Sequence, residues 1–187
     1  MLALSWSPQY CATAGKPSEF QCNREQPYGF VVHGLWPQFE RGFPSNCNKA
    51  PYLPQPLIDR LLPIMPSKGL ILHEWKTHGT CSGLEAQAYV DRIEATYRGL
   101  RIPDAYRHVD KALSLKPSAF EAALIAANPQ LKPDGISLQC RGPYLAEVRI
   151  CFDTAGAPRQ CGPDLDDRCG KTLMLRPAGG RLVPLQP

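Results

Sequence analysis

The sequence predicts an α+β fold: a central antiparallel β-sheet flanked by helices, in a single disulfide-stabilised domain over residues 1–187. Three observations carry this expectation. Short apolar runs with strand-like spacing lie near the two ends of the chain, helical spacing is confined to the middle, and eight cysteines are spread along the 187 residues. At 43% hydrophobic residues the chain can build a core without depending wholly on crosslinks. No internal repeat, low-complexity tract or linker divides it.

The N-terminal run LALSWS (2–7) alternates and reads as a strand. Residues 11–28 are polar, with Gly, Pro and two cysteines, and read as a loop. GFVVH (29–33) reads as a buried strand ending at a histidine, with Gly29 as punctuation. A Pro-, Asn- and Gly-rich connection then runs from Pro37 to Pro56, tied down by Cys47. PLIDRLLPIM (56–65) has helical spacing, which Pro63 ends or kinks. Residues 71–81 fit a second helix stopped near Gly83. Residues 85–99 give the clearest helix, with Ala88, Ile93 and Tyr97 inward and Gly99 as its stop. Ser118 and Glu121 form a capping box for a helix over 118–127, which Asn128-Pro129 ends. Strands over 136–140, 144–152 and 171–177 complete the sheet, separated by Gly, Pro and Asp turns.

The net charge of +4 is mild and dispersed, compatible with a polyanionic substrate without requiring one. The cysteines are even in number and form no C-x-x-C pair, which argues against a zinc ribbon or a thioredoxin-like site. Four disulfides in an oxidising compartment are expected, among about 105 possible pairings. No stretch approaches the roughly 20 apolar residues of a membrane span. The N-terminus has no basic region followed by a long apolar run, so the chain reads as a mature periplasmic or secreted form whose signal peptide has been removed.

The chemistry concentrates in two segments, FVVHGLWPQ (30–38) and HEWKTHGTC (73–81). Together they hold His33, His73 and His78, the carboxylate Glu74 and the indoles Trp36 and Trp75. Histidine exchanges its proton near neutral pH, so imidazoles beside a carboxylate point to proton-transfer catalysis. The plainer reading makes them satisfied core residues, which is the better account of a lone histidine than of three around one carboxylate. His108, in the charged stretch YRHVDK, reads as a solvated surface residue.

On an ideal helix His73, Glu74, Thr77 and His78 cover one side, at about 0°, 100°, 40° and 140°, while Trp75 is free to enter the core. Glu74 and His78 are an i, i+4 pair, so carboxylate and imidazole can meet and the ring can gain basicity. A zinc site of the H-E-x-x-H type needs histidines four apart on one face. Here they are five apart and about 140° separated, which is poor for shared coordination, so no metal or other cofactor is expected. Gly34 lets the backbone turn or a ligand approach after His33. Trp36 is either core or a partner for a substrate base or the catalytic ring.

At these residues the chain resembles the ribonuclease T2 family (acid, transferase-type ribonucleases), which is marked by motifs like HGLWP and HEWxKHGTC. The likeness extends to Trp6, Pro8, Tyr10 and Cys11 near the N-terminus and to LQCRG…EVRICFD late in the chain, and the approach LPIMPSKGLILHEW is similar to the bacterial branch. The resemblance implies metal-independent endonucleolytic cleavage of single-stranded RNA by its own 2′-hydroxyl, giving 2′,3′-cyclic phosphate and then 3′-phosphate ends. It implies that His78 is the general base, His33 the general acid and His73 a phosphate ligand, with Glu74 beside the phosphate tuning His78. It also implies the pairs Cys11–Cys22, Cys47–Cys81, Cys140–Cys169 and Cys151–Cys161. Trp36 and Tyr52 are candidate base contacts. RNA is the expected partner, with no membrane association and a monomeric state.

One position departs from the pattern. The family commonly has lysine just before the catalytic histidine, where this chain has Thr77, and Lys76 lies about 160° from both Glu74 and His78 on an ideal helix. Lys76 curls back, another cation serves, or Thr77 donates a hydrogen bond only. Two rival readings follow: a non-catalytic secreted RNA-binding or inhibitory module retaining the fold, and a metal-dependent hydrolase.

Overall fold

The computed structural model describes residues 1–14, 19–22, 28–49, 52–107 and 109–178; His108 lies outside the described residues. Strand β1 (Leu2–Trp6) runs straight into helix α1 (Ser7–Thr13), and α2 (Glu19–Cys22) follows. The loop expected over 11–28 is thus partly helical. Pro8 in the first turn of α1 explains the early start, since its fixed φ suits a helix N-terminus and its missing N–H costs nothing there. Strand β2 (Phe30–Leu35) comes next, then α3 (Gln55–Leu61), which stops ahead of Pro63. Helix α4 (Lys68–Thr77) begins earlier than its motif, because Ser67 caps it by accepting from the Leu70 N–H at 3.2 Å.

Past α4, a 3₁₀ turn (Gly79–Cys81) leads to Gly83, whose φ of +73° marks the stop. Helix α5 (Ala86–Arg98) buries Tyr89, Val90, Ile93 and Tyr97, and Ala88 faces solvent, contrary to expectation. Strand β3 (Leu113–Leu115) was not anticipated; three residues are too few to show a period. Helix α6 (Pro117–Ala127) starts one residue before the expected cap. Pro117 sets the start, so Ser118 and Glu121 lie inside the helix and no side chain caps it. Strands β4 (Ile136–Arg141), β5 (Tyr144–Ile150) and β6 (Leu173–Leu175) close the sheet.

The sheet runs β2-β1-β5-β6-β3, with β4 also pairing β5. It is antiparallel except where Tyr144 of β5 meets Met174 of β6 in parallel, so the sheet is mixed where a purely antiparallel one was expected. The long connection 151–172 permits that crossover, which a tight turn cannot make. Disulfides Cys140–Cys169 and Cys151–Cys161 fasten this connection, Cys11–Cys22 joins α1 to α2, and Cys47–Cys81 ties the long loop to the end of α4. These are the pairs the resemblance implies.

Strand alternation sorts the sheet into two faces. Leu2, Leu4, Trp6, Phe30, Val32, Val148 and Ile150 enter the core with residues of α3 to α6. Ala3, Ser5, Glu147 and Arg149 occupy the alternate positions of β1 and β5. Between β1 and β2 the register slips: Ala3 pairs Gly34 and Leu4 pairs Val32, which leaves His33 as the extra residue of a β-bulge. A bulge re-aims a side chain, and here it turns His33 toward Glu147 on β5.

Candidate active site

The two motifs meet because β2 packs against α4. Trp75 of α4 goes into the core beside Tyr89, with ring centroids 5.5 Å apart, and Gly79 leaves room for both rings. Glu74 is thereby turned to β2, where it is 2% exposed. Its Oε2 accepts from the Trp36 Nε1–H at 2.5 Å, and its Oε1 lies 3.7 Å from His33 Nε2. Gly34 makes that approach possible: a Cβ there would sit 2.1 Å from Glu74 Oε2 and 2.3 Å from Trp36 Nε1. The glycine of the first motif is required by close packing.

Trp36 sits at the centre of the site. Its ring centroid is 5.1 Å from that of His33, edge to face, and 5.3 Å from that of His78. Phe43, on the loop after β2, stands with its ring centroid 6.0 Å from that of His78. The loop is held there by Cys47–Cys81 and by the Asn46 N–H, which donates to the Thr77 carbonyl at 2.8 Å. A cleft of about 500 Å³ opens beside Trp36, bordered by Gln38, Phe39, Arg92 and Phe152.

The two imidazoles differ in their partners. His33 Nδ1 is 2.6 Å from Glu147 Oε1, and the other Glu147 oxygen accepts from Arg149 Nε at 2.6 Å. Burial by itself pulls the His33 pKa down. The Glu147 hydrogen bond and the charges of Glu147 and Glu74 outweigh it, and the ring is held above its ordinary value. His78 is the C-cap of α4, and its Nδ1 is buried with no hydrogen-bond partner among the described residues. Burial first, then the neighbouring charges of His73 and His33, push its pKa down to about 4. Burial also raises the Glu74 carboxyl above its ordinary range, against the pull of His33 and Trp36.

The structure therefore brings together His33, Trp36, Glu74 and His78, with His73 exposed at the rim. The expected meeting of Glu74 with the ring of His78 does not occur. His78 ends the helix with φ −117°, off the ideal helical path, and Glu74 turns to His33 and Trp36 instead. Lys76 projects into solvent, and Thr77 is half-buried. Tyr52 is 77% exposed and makes no ring contact with the cluster; Phe43 is the loop aromatic that the disulfide draws in. Sequence reasoning missed Phe43, Glu147 and Arg149. The signal for the last two was present: a strand that is otherwise apolar carries two charges at i, i+2, hence on one face.

Compared with known proteins, residues 1–161 match the model of the Ribonuclease T2 family. The chain belongs to that family. A ribonuclease of Aeromonas hydrophila is 33% identical over 184 residues, covering 93% of this chain and 82% of its own. A probable ribonuclease of Haemophilus influenzae is 35% identical over 175 residues, covering 86% of this chain and 60% of that protein. Among solved structures, an RNase-related protein from Calystegia sepium superimposes with a TM-score of 0.74 at 23% identity, covering 92% of this chain and 93% of its own. RNase NT in complex with 5′-AMP gives 0.71 at 21% identity, covering 94% and 96%. The likeness to these two is one of fold. This T2-family ribonuclease has no helix among its described residues long and apolar enough to cross a membrane.

Proposed function

We propose that this enzyme cleaves single-stranded RNA internally by transesterification, with His78 as base and His33 as acid. The opposed displacement of the two imidazoles carries this reading. His78, held down at about 4, is neutral at neutral pH and able to take a proton, while His33, held above its ordinary value by the Glu147 hydrogen bond, keeps its proton to higher pH than a free imidazole does. The 2′-oxygen attacks phosphorus as its proton passes to His78. The bond from phosphorus to the 5′-oxygen breaks, and His33 protonates the departing oxygen. A 2′,3′-cyclic phosphate results, and water opens it to a 3′-phosphate in a second step.

The nucleophile belongs to the substrate, so proximity is supplied in advance, and DNA, which lacks the hydroxyl, is not cut. His73, exposed at the rim, meets the phosphate. Glu74 fixes Trp36 and adds negative charge beside His33. Trp36, at the edge of the cleft, is the surface on which a base stacks. The chain works as one monomeric catalytic domain in the periplasm or outside the cell, where its four disulfides persist.

Incubation with single-stranded RNA and with its 2′-deoxy analogue, each with and without EDTA, tests the reading. Cleavage of RNA alone, unaffected by EDTA and yielding cyclic phosphate, is expected. Chelator-sensitive cleavage, or cutting of the deoxy strand, overturns it.

A further inference from the structure

Transfer at phosphorus needs positive charge beside the phosphate as well as an acid and a base. The cations of α4 do not meet the cluster. Lys76 is exposed, and its side chain makes no hydrogen bond or ion pair among the described residues. Arg149 does meet it. It lies on β5, across β1 from Gly34, with Ala3 between them. The small side chains of Ala3 and Ser5 on β1 leave room above the sheet for groups of β5 to reach β2. Glu147 uses that room to contact His33, two strands away.

Arg149 is held at two points. Its Nε donates to Glu147 Oε2 at 2.6 Å, and its guanidinium carbon lies 5.1 Å from the centre of the Trp36 ring. That ring also touches both catalytic histidines. The terminal guanidinium nitrogens make no hydrogen bond with described residues, and the side chain is 27% exposed. A planar fork whose inner edge is anchored and whose outer edge is free suits an oxyanion.

We propose that Arg149 is the cation that binds the scissile phosphate, with Glu147 as the positioning residue that fixes both Arg149 and His33. This rests on the transesterification reading, and the experiment separates the two. Turnover of a dinucleoside monophosphate is compared in wild type, Arg149→Met, Glu147→Gln, His33→Ala and His78→Ala. Methionine keeps an apolar stem on Trp36 and removes the charge; Arg149→Gln replaces it if the Met variant does not fold.

Arg149→Met is expected to lower kcat about 10²-fold and to weaken inhibition by inorganic phosphate, with added guanidinium restoring part of its rate and none of that of His33→Ala. Around His33 stand Glu147 and Arg149 from β5, with Glu74 and His78 from α4. Loss of the Glu147 charge is therefore expected to move the alkaline limb of kcat/KM to lower pH, which a merely structural role would not do. Wild-type kcat and phosphate inhibition in folded Arg149→Met or Arg149→Gln, with both histidine variants inactive, overturns this inference alone. An unmoved alkaline limb in Glu147→Gln overturns the positioning role. If the histidine variants keep wild-type turnover, the transesterification reading fails first.

Discussion

His33 and His78 flank the same indole, yet they occupy opposite kinds of surroundings. His33 leaves the sheet at a bulge and finds a carboxylate at 2.6 Å and another at 3.7 Å. His78 ends a helix with Nδ1 buried and unpartnered among the described residues, and the charges that reach it are those of the other two histidines of the cluster. One ring is stabilised as imidazolium and the other as imidazole. An acid and a base can thus be made from one residue type by burial and by the placement of carboxylate partners.

Removal of either ring has the largest expected effect. His33→Ala and His78→Ala should each lower kcat by about 10² to 10⁴-fold. A substrate with an aryloxide leaving group needs no proton on that group. It should rescue His33→Ala and leave His78→Ala slow, and rescue of the wrong variant would exchange their roles. Gly34→Ala comes next. Its methyl group would drive Glu74 and Trp36 apart, and misplacement of about 1 Å at a site costs on the order of 10²-fold. Single-turnover rates measure that loss, and a crystal structure of the variant should show the Trp36–Glu74 hydrogen bond broken.

The pH profile separates the two rings without mutation. The rate kcat/KM should rise through about 4, as His78 loses its proton, and fall only above 6.5, the ordinary imidazole value that His33 exceeds. Limbs that coincide near 6.5 would mean that the two surroundings are equivalent. The smallest effect concerns stability. Glu74 has a folded-state pKa raised by burial, so its ionised form is less at ease in the folded protein, and stability drains away as pH rises from the ordinary carboxyl value of 4.5 through the raised one. Glu74→Gln should therefore lift Tm by about 2–4 °C at neutral pH, with the gain fading below 4.5, while turnover falls. Thermal melts at both pH values measure it.

Much of this architecture was legible in the chain. The runs at 2–7, 29–33, 136–140 and 144–152 became strands because their apolar side chains are buried in the sheet, and α5 showed its period plainly. Helical angle left Trp75 free to enter the core, and it is buried there. Three readings failed because a local signal was overruled. Pro117 displaced the Ser118 cap, Pro8 started α1, whose last turn runs into the expected loop, and the 151–172 excursion brought β6 back parallel to β5.

The chain's residue order marks out the side chains able to do chemistry: three histidines and a carboxylate in two short segments, and a tryptophan and glycine beside them. Their partners were set by packing between distant elements. Glu74, four residues from His78, turned to His33 instead, and the carboxylate closest to His33 came from Glu147, on a strand far along the chain. Helical spacing specifies neighbours within one element. Pairing across strands depends on register, on a bulge at His33 and on the small size of Ala3 and Ser5, and those are settled only when the sheet forms.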